Sequence, residues 1–397
     1  MSTQATASTP SESAPSLRFD RREWSGAFGD LGTDLPLLAG MILAAQLDAT
    51  SVLTVFGLMQ IATAVLYRMP MPVQPLKAMA AIVISQKVAP EVLYGGGLAI
   101  GVSMLVLTAT GFIDFINRVV SKPVVRGIQS GLGLQLAAIA LKEYLSSEGA
   151  RGVALAGVGF FLTLFLLGRR RIPAALILVA LGAAYGAFWK LDLAALPASV
   201  AFRLPQLQAP KLADVWTGFL LLALPQIPLS ICNSILATRQ IAEDLFPQRR
   251  ITARGIAWTY SAMNLINPFF GGVPTCHGSG GLAGHYAFGG RTGGSVIIYG
   301  ALFACLGLFF GPGFQAWVNA FPLPLLGVLL IFESLSLLAL LRDLAPDQTN
   351  FRIALLVGLI ASSIPYGYLV GLLVGMLCVF LTSQGWTALS SQHPEGR

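Results

Sequence analysis

The sequence predicts an all-α polytopic membrane protein with 14 transmembrane elements in a 7+7 inverted repeat, two of them half-helices that meet at the membrane midplane. The composition is the first observation: 55% of the 397 residues are hydrophobic, 11% are charged, and the mean hydropathy is +0.72. Soluble domains carry roughly a quarter charged residues, so this chain lacks the surface of a cytosolic enzyme, a nucleic-acid-binding protein or a disordered scaffold. The order of the apolar segments and two proline-led breaks are the other observations.

The apolar segments follow one another in two series of similar layout. A helix needs about 20 apolar residues to cross the bilayer core. Segments near that length lie at 26–46, 51–67, 92–111, 123–142, 152–168 and 172–190, then at 213–238, 252–267, 294–311, 317–335, 351–364 and 366–383. Each series also contains a short segment that opens with a proline, at 75–88 and at 274–288. Because seven is an odd number, the second series is expected upside down relative to the first.

The basic residues indicate the orientation in the membrane. The net charge is +7 and the isoelectric point is near 9.4. With both termini in the cytoplasm, most of the 25 Lys and Arg residues lie on the inner side, as the positive-inside rule requires. We therefore expect a multi-pass protein of the cell (inner) membrane, in contact with lipid and without a nucleic-acid partner. The four cysteines have no paired spacing, which predicts neither a disulfide nor a metal site.

Two proline-rich breaks mark the expected functional site. The stretches MPMPVQP at 69–75 and INPFFGGVPTCHGSGG at 266–281 are not regular helix, and irregular backbone at membrane depth must be buried in protein or line a cavity. We expect extended backbone leading into a half-helix at each break, with Pro75 at the first helical position of the first. Both half-helices then point their positive N-termini into a shared space, which favours an anion.

The residues around the breaks supply candidate ligands for this anion. In the first half they are Gln74, Pro75 and Lys77, and we expect Lys77 to balance charge because a cation at this depth is costly. In the second half, polar groups lie among glycines that let backbone N–H groups approach an oxyanion: Thr275, Cys276, His277, Gly278 and Ser279. The span at 213–238 adds two uncharged hydrogen-bonding side chains, Gln226 and Asn233.

Acidic residues in the first span are candidates for proton coupling. Asp30 and Asp34 lie four residues apart, on one face of a helix. Asp30 is expected near the inner interface and Asp34 deeper, where a carboxylate beside an anion site must be protonated or paired. We therefore consider Asp34 and His277 as the groups that couple protons to transport. Glu333, late in its span, is interpreted as an interfacial end residue.

Several stretches resemble the molybdate transporter family, a branch of the sulfate-permease-like superfamily whose wider relatives include the uracil permeases. They are GDLGTDLPL, PVQPLKAMAA, LPQIPLSICNSILA and, most specifically, FGGVPTCHGSGGLAGHYAFGGRTG. The resemblance runs from about residue 24 to 385. It implies molybdate as the substrate, elevator-type movement of a core domain against a gate domain, and a homodimer formed through the gate. It also implies that the anion lies between the residues named at the two breaks, with Gln226 and Asn233 flanking it.

The composition and the resemblance together divide the chain. We expect a disordered cytoplasmic tail at 1–23, a first repeat at 24–190 with core 24–111 and gate 112–190, and a linker at 191–211. The second repeat is expected at 212–385, with core 212–311 and gate 312–385, before a cytoplasmic tail at 386–397.

The leading hypothesis is secondary active import of molybdate, coupled to protons, with no cofactor. A permease for sulfate or another tetrahedral oxyanion is the alternative, because these anions share shape and charge. A passive anion channel or an anion-driven motor is an alternative of a different class. A nucleobase symporter is disfavoured, since Asp214 is the only acid in 213–238 and 274–288. An enzyme is disfavoured because Cys276 and His277 are adjacent rather than facing each other.

Overall fold

The structure, a computed structural model, describes residues 16–166, 174–190 and 200–384. The first half contains α1 (Arg21–Gly26), α2 (Leu31–Ala44), α3 (Ala49–Tyr67), β1 (Val73–Pro75), α4 (Lys77–Gln86), α5 (Pro90–Ala109), α6 (Phe112–Val119), α7 (Lys122–Ile139), α8 (Gly149–Leu166) and α9 (Ala174–Trp189). The second half contains α10 (Leu212–Gly218), α11 (Leu224–Leu229), α12 (Thr238–Leu245), α13 (Ala253–Ile266), β2 (Thr275–His277), α14 (Ser279–Ala287), α15 (Gly294–Ala320), α16 (Leu323–Ala339), α17 (Gln348–Ser363) and α18 (Gly367–Ser383).

The mostly helical, multi-pass architecture is confirmed. Seven helical segments of the described chain are long and apolar enough to cross a membrane. One of them is continuous from Leu212 to Leu245, because π-helical turns at 219–223 and 230–237 join α10, α11 and α12. Large apolar side chains such as Phe161 (70% exposed) and Phe188 (81% exposed) lie on the outside, as expected where lipid is the solvent.

The all-α prediction is wrong at the two breaks, where the backbone forms strands. β1 and β2 pair antiparallel, with Val73 opposite His277, Gln74 opposite Cys276 and Pro75 opposite Thr275. Pro75 therefore lies in a strand, and the helix begins at Lys77; the second short helix likewise begins at Ser279 rather than at Pro274. The physical reason is that buried backbone groups need partners, and two extended segments side by side satisfy each other.

Other element boundaries differ from the prediction. The first span is interrupted at residues 27–30, so Asp30 precedes α2 instead of lying within it. α15 continues through Pro312 to Ala320, so the predicted end at 311 and the predicted start at 317 are wrong. A proline removes one intrahelical hydrogen bond, which a long membrane helix tolerates. The short helix α6 was not predicted.

The terminal and linker assignments are tested only in part. Residues 1–15, 191–199 and 385–397 lie outside the described chain, as do 167–173. The predicted disordered tail is wrong at its end, because Asp20 caps α1 by accepting hydrogen bonds from the N–H groups of Arg22 and Glu23. Of the predicted linker, residues 200–211 bond to the helical body, for example from Gln206 N to Ser51 Oγ at 2.8 Å.

Close helix packing places the strands in the interior. α3 and α15 approach so closely that a Cβ on Gly57 would overlap backbone atoms of Gly300 and Ala304. The N-terminus of α15 is capped by the buried Glu23 of α1, whose carboxylate accepts from the N–H groups of Thr292 (2.9 Å) and Ser295 (3.0 Å). All six residues of the two strands are buried.

Candidate functional site

Two side-chain amides complete the small sheet. Gln60 of α3 donates to Val73 O (2.6 Å) and accepts from Val73 N (2.8 Å). Asn264 of α13 makes the corresponding pair of bonds to Thr275 O (2.6 Å) and Thr275 N (2.9 Å). Each amide thus makes the two backbone hydrogen bonds that a neighbouring strand would make to the first residue of β1 or β2. Since both strand edges are buried, these bonds satisfy backbone groups that water does not reach.

The N-terminus of α4 is capped by a side chain from the second half of the chain. Gln226 Oε1 accepts hydrogen bonds from the N–H groups of Ala78 (2.9 Å) and Met79 (3.1 Å). Its Nε2 donates to Ser230 Oγ at 3.1 Å, and Ser230 in turn bonds to the hydroxyl of Tyr260 at 2.7 Å. Gln226 therefore lies at the N-terminal end of α4, with its oxygen on the N–H groups that an anion would use.

Lys77 lies in the first turn of α4 and forms a buried ion pair with Glu333 of α16. Lys77 is 4% exposed and the Glu333 side chain 16% exposed. The second carboxylate oxygen, Glu333 Oε2, accepts from Thr33 Oγ1 of α2 at 2.9 Å. The interpretation of Glu333 as an interfacial end residue is therefore wrong. A lone carboxylate in the apolar run LLIFESLSLL was the signal, because an intramembrane charge usually has a partner of opposite sign.

Asp30 also lies in the interior rather than at an interface. It is 2% exposed, and its Oδ1 accepts from Gln74 Nε2 of β1 at 2.5 Å. Its other oxygen lies against Gly281 in the first turn of α14, and the Gln74 side chain lies against Gly278. Glycines are needed here because a Cβ at either position would overlap these polar groups. We call Asp30, Thr33, Gln74, Lys77 and Glu333 the Lys77 cluster.

Asp34 occupies a separate, fully buried position one turn further along α2. Its Oδ2 accepts from the hydroxyl of Tyr299 on α15 at 3.0 Å. Its Oδ1 accepts no hydrogen bond from the described residues. Among the described residues, Lys77 forms its ion pair with Glu333 and not with Asp34.

The side chains of β2 point to both sides of the strand. Thr275 Oγ1 accepts from Asn267 Nδ2 at 2.9 Å, and His277 Nε2 bonds to Thr259 Oγ1 at 2.7 Å. Both partners lie on or directly after α13, and Cys276 projects to the opposite face because strand side chains alternate. The edge of the His277 ring also packs against Tyr67, with ring centroids 5.4 Å apart.

Asn233 lies in the π-helical turn that follows α11 and bonds to α7. Its Oδ1 accepts from Gln129 Nε2 at 2.8 Å, and Gln129 Oε1 accepts from Arg126 Nη1 at 2.9 Å. Arg126 also forms an ion pair with Asp343 near the end of the helix that begins with α16. Asn233 is therefore part of a polar chain between helices.

The structure brings the two predicted breaks together, along with Gln226, and separates some of the predicted ligands. Gln74, Lys77 and the first turn of α14 lie next to one another around the Lys77 cluster. The side chains of Thr275 and His277 form hydrogen bonds with residues on or directly after α13, and that of Asn233 forms a hydrogen bond with α7. The sequence did not reveal the partners Thr33, Gln60, Asn264 and Tyr299, since a polar residue in an apolar span does not indicate its distant contact.

A large apolar cavity lies elsewhere, between α2, α9 and α15. Its volume is about 810 Å³, and its lining side chains are aliphatic or aromatic, among them Phe28, Phe303 and Trp317. Such a lining offers few hydrogen-bond donors to an oxyanion, which needs several. The Lys77 cluster is therefore the better candidate for an anion site.

Comparison with known proteins gives consistent matches. Residues 22–136 and 218–337 match the family described as "Molybdate transporter of MFS superfamily". Molybdate transporter 2 of Arabidopsis thaliana is 33% identical, over 89% of this chain and 86% of that protein. Molybdate transporter 1 of Chlamydomonas reinhardtii is 29% identical, over 94% of each chain.

Solved structures share the fold at low sequence identity. The transmembrane domain of a cyanobacterium bicarbonate transporter, BicA, is 16% identical with a TM-score of 0.65, over 90% of this chain and 96% of that one. The murine Solute Carrier 26 family member A9 anion transporter, in the inward-facing state, is 14% identical with a TM-score of 0.70. That match covers 92% of this chain and 68% of the other.

Proposed function

The chain belongs to the molybdate transporter family, and on that premise we propose that it imports molybdate by proton-coupled secondary active transport. The observation that carries the proposal is Lys77, a buried cation in the first turn of a half-helix, beside the crossing of β1 and β2. A buried ammonium at the positive end of a helix requires an anionic partner. The site can therefore exchange one anion for another.

We propose that the anion binds between Gln74, Pro75 and Lys77 on one side and Thr275, Cys276, His277, Gly278 and Ser279 on the other. Gln226 and Asn233 flank it. In support, Gln226 already lies on the N–H groups of α4, and Gln74 lies against Gly278. Movement of Gln226 by one rotamer frees two backbone donors for an oxyanion.

The inverted 7+7 repeat is part of the proposal. Gln60 and Asn264 make the same two backbone bonds to the first residue of β1 and β2 respectively. Two halves of common origin would place equivalent helices, α3 and α13, in front of equivalent breaks. We assign the core to 24–111 and 212–311 and the gate to 112–190 and 312–385. Because α15 is continuous, the second core is better ended at Ala320.

We propose an elevator mechanism in which the core slides against the gate. Among the described residues, the polar contacts between the two proposed domains are few enough to be exchanged: Lys77 and Thr33 with Glu333, and Asn233 with Gln129. The remaining contacts between them are largely apolar, which permits sliding without loss of directed bonds. We further propose a cell (inner) membrane location with both termini cytoplasmic, contact with lipid, and a homodimer formed through the gate.

Proton coupling is proposed to involve Asp34, with His277 as a second candidate. Two buried carboxylates, Asp30 and Asp34, and the partly buried carboxylate of Glu333 lie in the same region as the positive charge of Lys77. An incoming dianion is repelled by this excess of negative charge unless protons arrive with it. Asp34 has an oxygen without a hydrogen-bond partner in the described chain and is therefore free to accept a proton.

Uptake into proteoliposomes tests the function. We expect a pH gradient to drive accumulation of labelled molybdate at nanomolar concentration, even with excess sulfate outside. Lys77→Gln is expected to abolish accumulation, whereas Lys190→Gln, which breaks the Lys190–Glu148 ion pair, is expected to retain it. Inhibition by modest sulfate would make the protein a general tetrahedral-oxyanion permease. Flux without accumulation would indicate a passive anion channel.

A further inference from the structure

The contacts of Glu333 resemble those that an oxyanion would make. Oε1 pairs with the Lys77 ammonium and Oε2 accepts from the Thr33 hydroxyl. One ammonium and one hydroxyl that converge on two oxygens of the same group form a donor set that suits a tetrahedral oxyanion equally well. The carboxylate comes from α16 in the proposed gate, while both donors belong to the proposed core.

Glu333 already occupies the ion-pair position of Lys77 in this arrangement. Lys77 is 4% exposed, and among the described residues Glu333 is its ion-pair partner. The neighbouring Asp30 carboxylate is held at 2.5 Å by Gln74 Nε2 and forms no ion pair with Lys77. Removal of a partner from a buried charge is strongly unfavourable, whereas replacement of that partner by another anion is not. A transported anion therefore has to take the place of Glu333.

We infer that Glu333 is an internal competitor of the transported oxyanion: its carboxylate holds Lys77 and Thr33 in the empty site and is displaced when the oxyanion binds. This inference rests on the proposed function. Displacement also removes the Lys77–Glu333 link between core and gate, so substrate binding and release of the core are one event. Only an anion that is able to displace the carboxylate therefore breaks the link between core and gate.

The competition selects the charge of the substrate. Coulomb attraction to Lys77 doubles from a monoanion to a dianion at equal distance. A singly charged carboxylate that is already in place resists chloride or nitrate, which gain no more from Lys77 than it does. A tetrahedral dianion such as molybdate or sulfate gains more and replaces it. Glu333 would thus exclude monoanions.

Equilibrium binding of labelled molybdate to the full-length protein in detergent, with and without millimolar nitrate, tests the inference. We expect Glu333→Gln to tighten molybdate binding by about tenfold or more and to make it sensitive to nitrate. Glu333→Asp keeps the charge but is one methylene shorter, so its molybdate affinity and nitrate sensitivity are expected to lie between those of the wild type and Glu333→Gln. This variant provides the test if Glu333→Gln fails to fold. Glu148→Gln, which breaks the ion pair with Lys190, is the matched control and should behave as wild type.

The outcomes distinguish a failure of the role inferred for Glu333 from a failure of the proposed function. Wild-type binding of molybdate with no tightening and no nitrate sensitivity in either Glu333 variant overturns the role of Glu333 alone. A wild type that binds neither molybdate nor sulfate overturns the proposed function and the role of Glu333 with it. Tightening together with new nitrate sensitivity supports both, because a purely structural ion pair would not change which anions compete.

Discussion

Single side chains, rather than backbone alone, hold the two breaks in register. Gln60 and Asn264 each use both ends of one amide to bond both backbone groups of one strand residue. An amide is suited to this because it carries a donor and an acceptor in one plane, like a peptide group. Replacement of the amide leaves two buried backbone groups without partners.

Asn264→Ala is therefore expected to lower the stability of the protein. Loss of two buried hydrogen bonds to Thr275 should cost about 2–6 kcal/mol, since each of the two unsatisfied backbone groups costs about 1–3 kcal/mol. The midpoint of thermal unfolding of the detergent-solubilised protein reports this loss of stability. Gln240→Ala removes an exposed amide that bonds Asp244 and should leave the midpoint nearly unchanged. Equal midpoints for the two variants would contradict this role of Asn264.

Two neighbouring glycines in α14 provide a matched pair for the site itself. A Cβ on Gly281 would overlap the Asp30 carboxylate, whereas a Cβ on Gly280 would meet nothing within 4 Å. Gly281→Ala is expected to displace Asp30 and Gln74 and to reduce molybdate uptake by at least about tenfold. Gly280→Ala should transport normally. Both rates are read from initial uptake at equal protein incorporation, and similar activity of the two variants would show that the Lys77 cluster is not part of the site.

At the scale of elements, prolines have opposite effects according to their number and surroundings. A single proline, Pro312, leaves α15 helical over 27 residues, whereas Pro70, Pro72 and Pro75 keep the first break extended. One proline removes a single hydrogen bond, whereas three prolines within six residues also restrict the residue before each proline to extended conformations. Helix α15 then packs against α3 through glycines along its length.

The α3–α15 contact is expected not to tolerate a larger side chain in place of a glycine. Gly57→Leu should prevent folding or lower the unfolding midpoint severely, because the close approach of Gly300 and Ala304 leaves no room for a side chain. Gly157→Leu on α8 is the control, since a Cβ there meets nothing within 4 Å. Yield of monodisperse protein in size-exclusion chromatography distinguishes them. Normal yield of the Gly57 variant would argue against this tight packing.

The existence and order of the long helices could be predicted, but the short elements and the pairing between distant segments could not. Apolar length and proline-rich interruptions located the spans and both breaks, because these signals are local. The partner of Lys77 was missed, since nothing local to Glu333 indicates that it meets a residue in the other half. The strands were missed for the same reason: three-residue strands carry no periodic pattern, and their stability comes from pairing between distant segments.

At the scale of the whole molecule, the proposed core and gate are linked by few polar bonds. The Asn233–Gln129 bond at 2.8 Å and the contacts of Glu333 are the links that substrate movement would have to break. A rigid-body displacement requires that such bonds exchange together.

A covalent link at this boundary is expected to stop transport. A short bifunctional thiol reagent that joins Gln129→Cys to Asn233→Cys should reduce molybdate uptake from the level of the unlinked double variant to background, and cleavage of the reagent should restore the level of that double variant. Arg239→Cys with Glu243→Cys links two positions on one helix, α12, and should leave uptake unchanged. Full activity of the 129–233 cross-linked protein would contradict movement at this boundary.

The pairing of β1 with β2 has a consequence for biogenesis. Three contacts that stabilise the first break come from segments that are synthesised later: β2, the cap Gln226 and the counter-ion Glu333. Until then, the nascent first half contains unpaired strand groups and a buried lysine without its ion-pair partner, both costly in lipid. Chains that end prematurely would keep these defects. The membrane's quality-control proteases could thus distinguish unfinished from finished copies by the state of a three-residue strand.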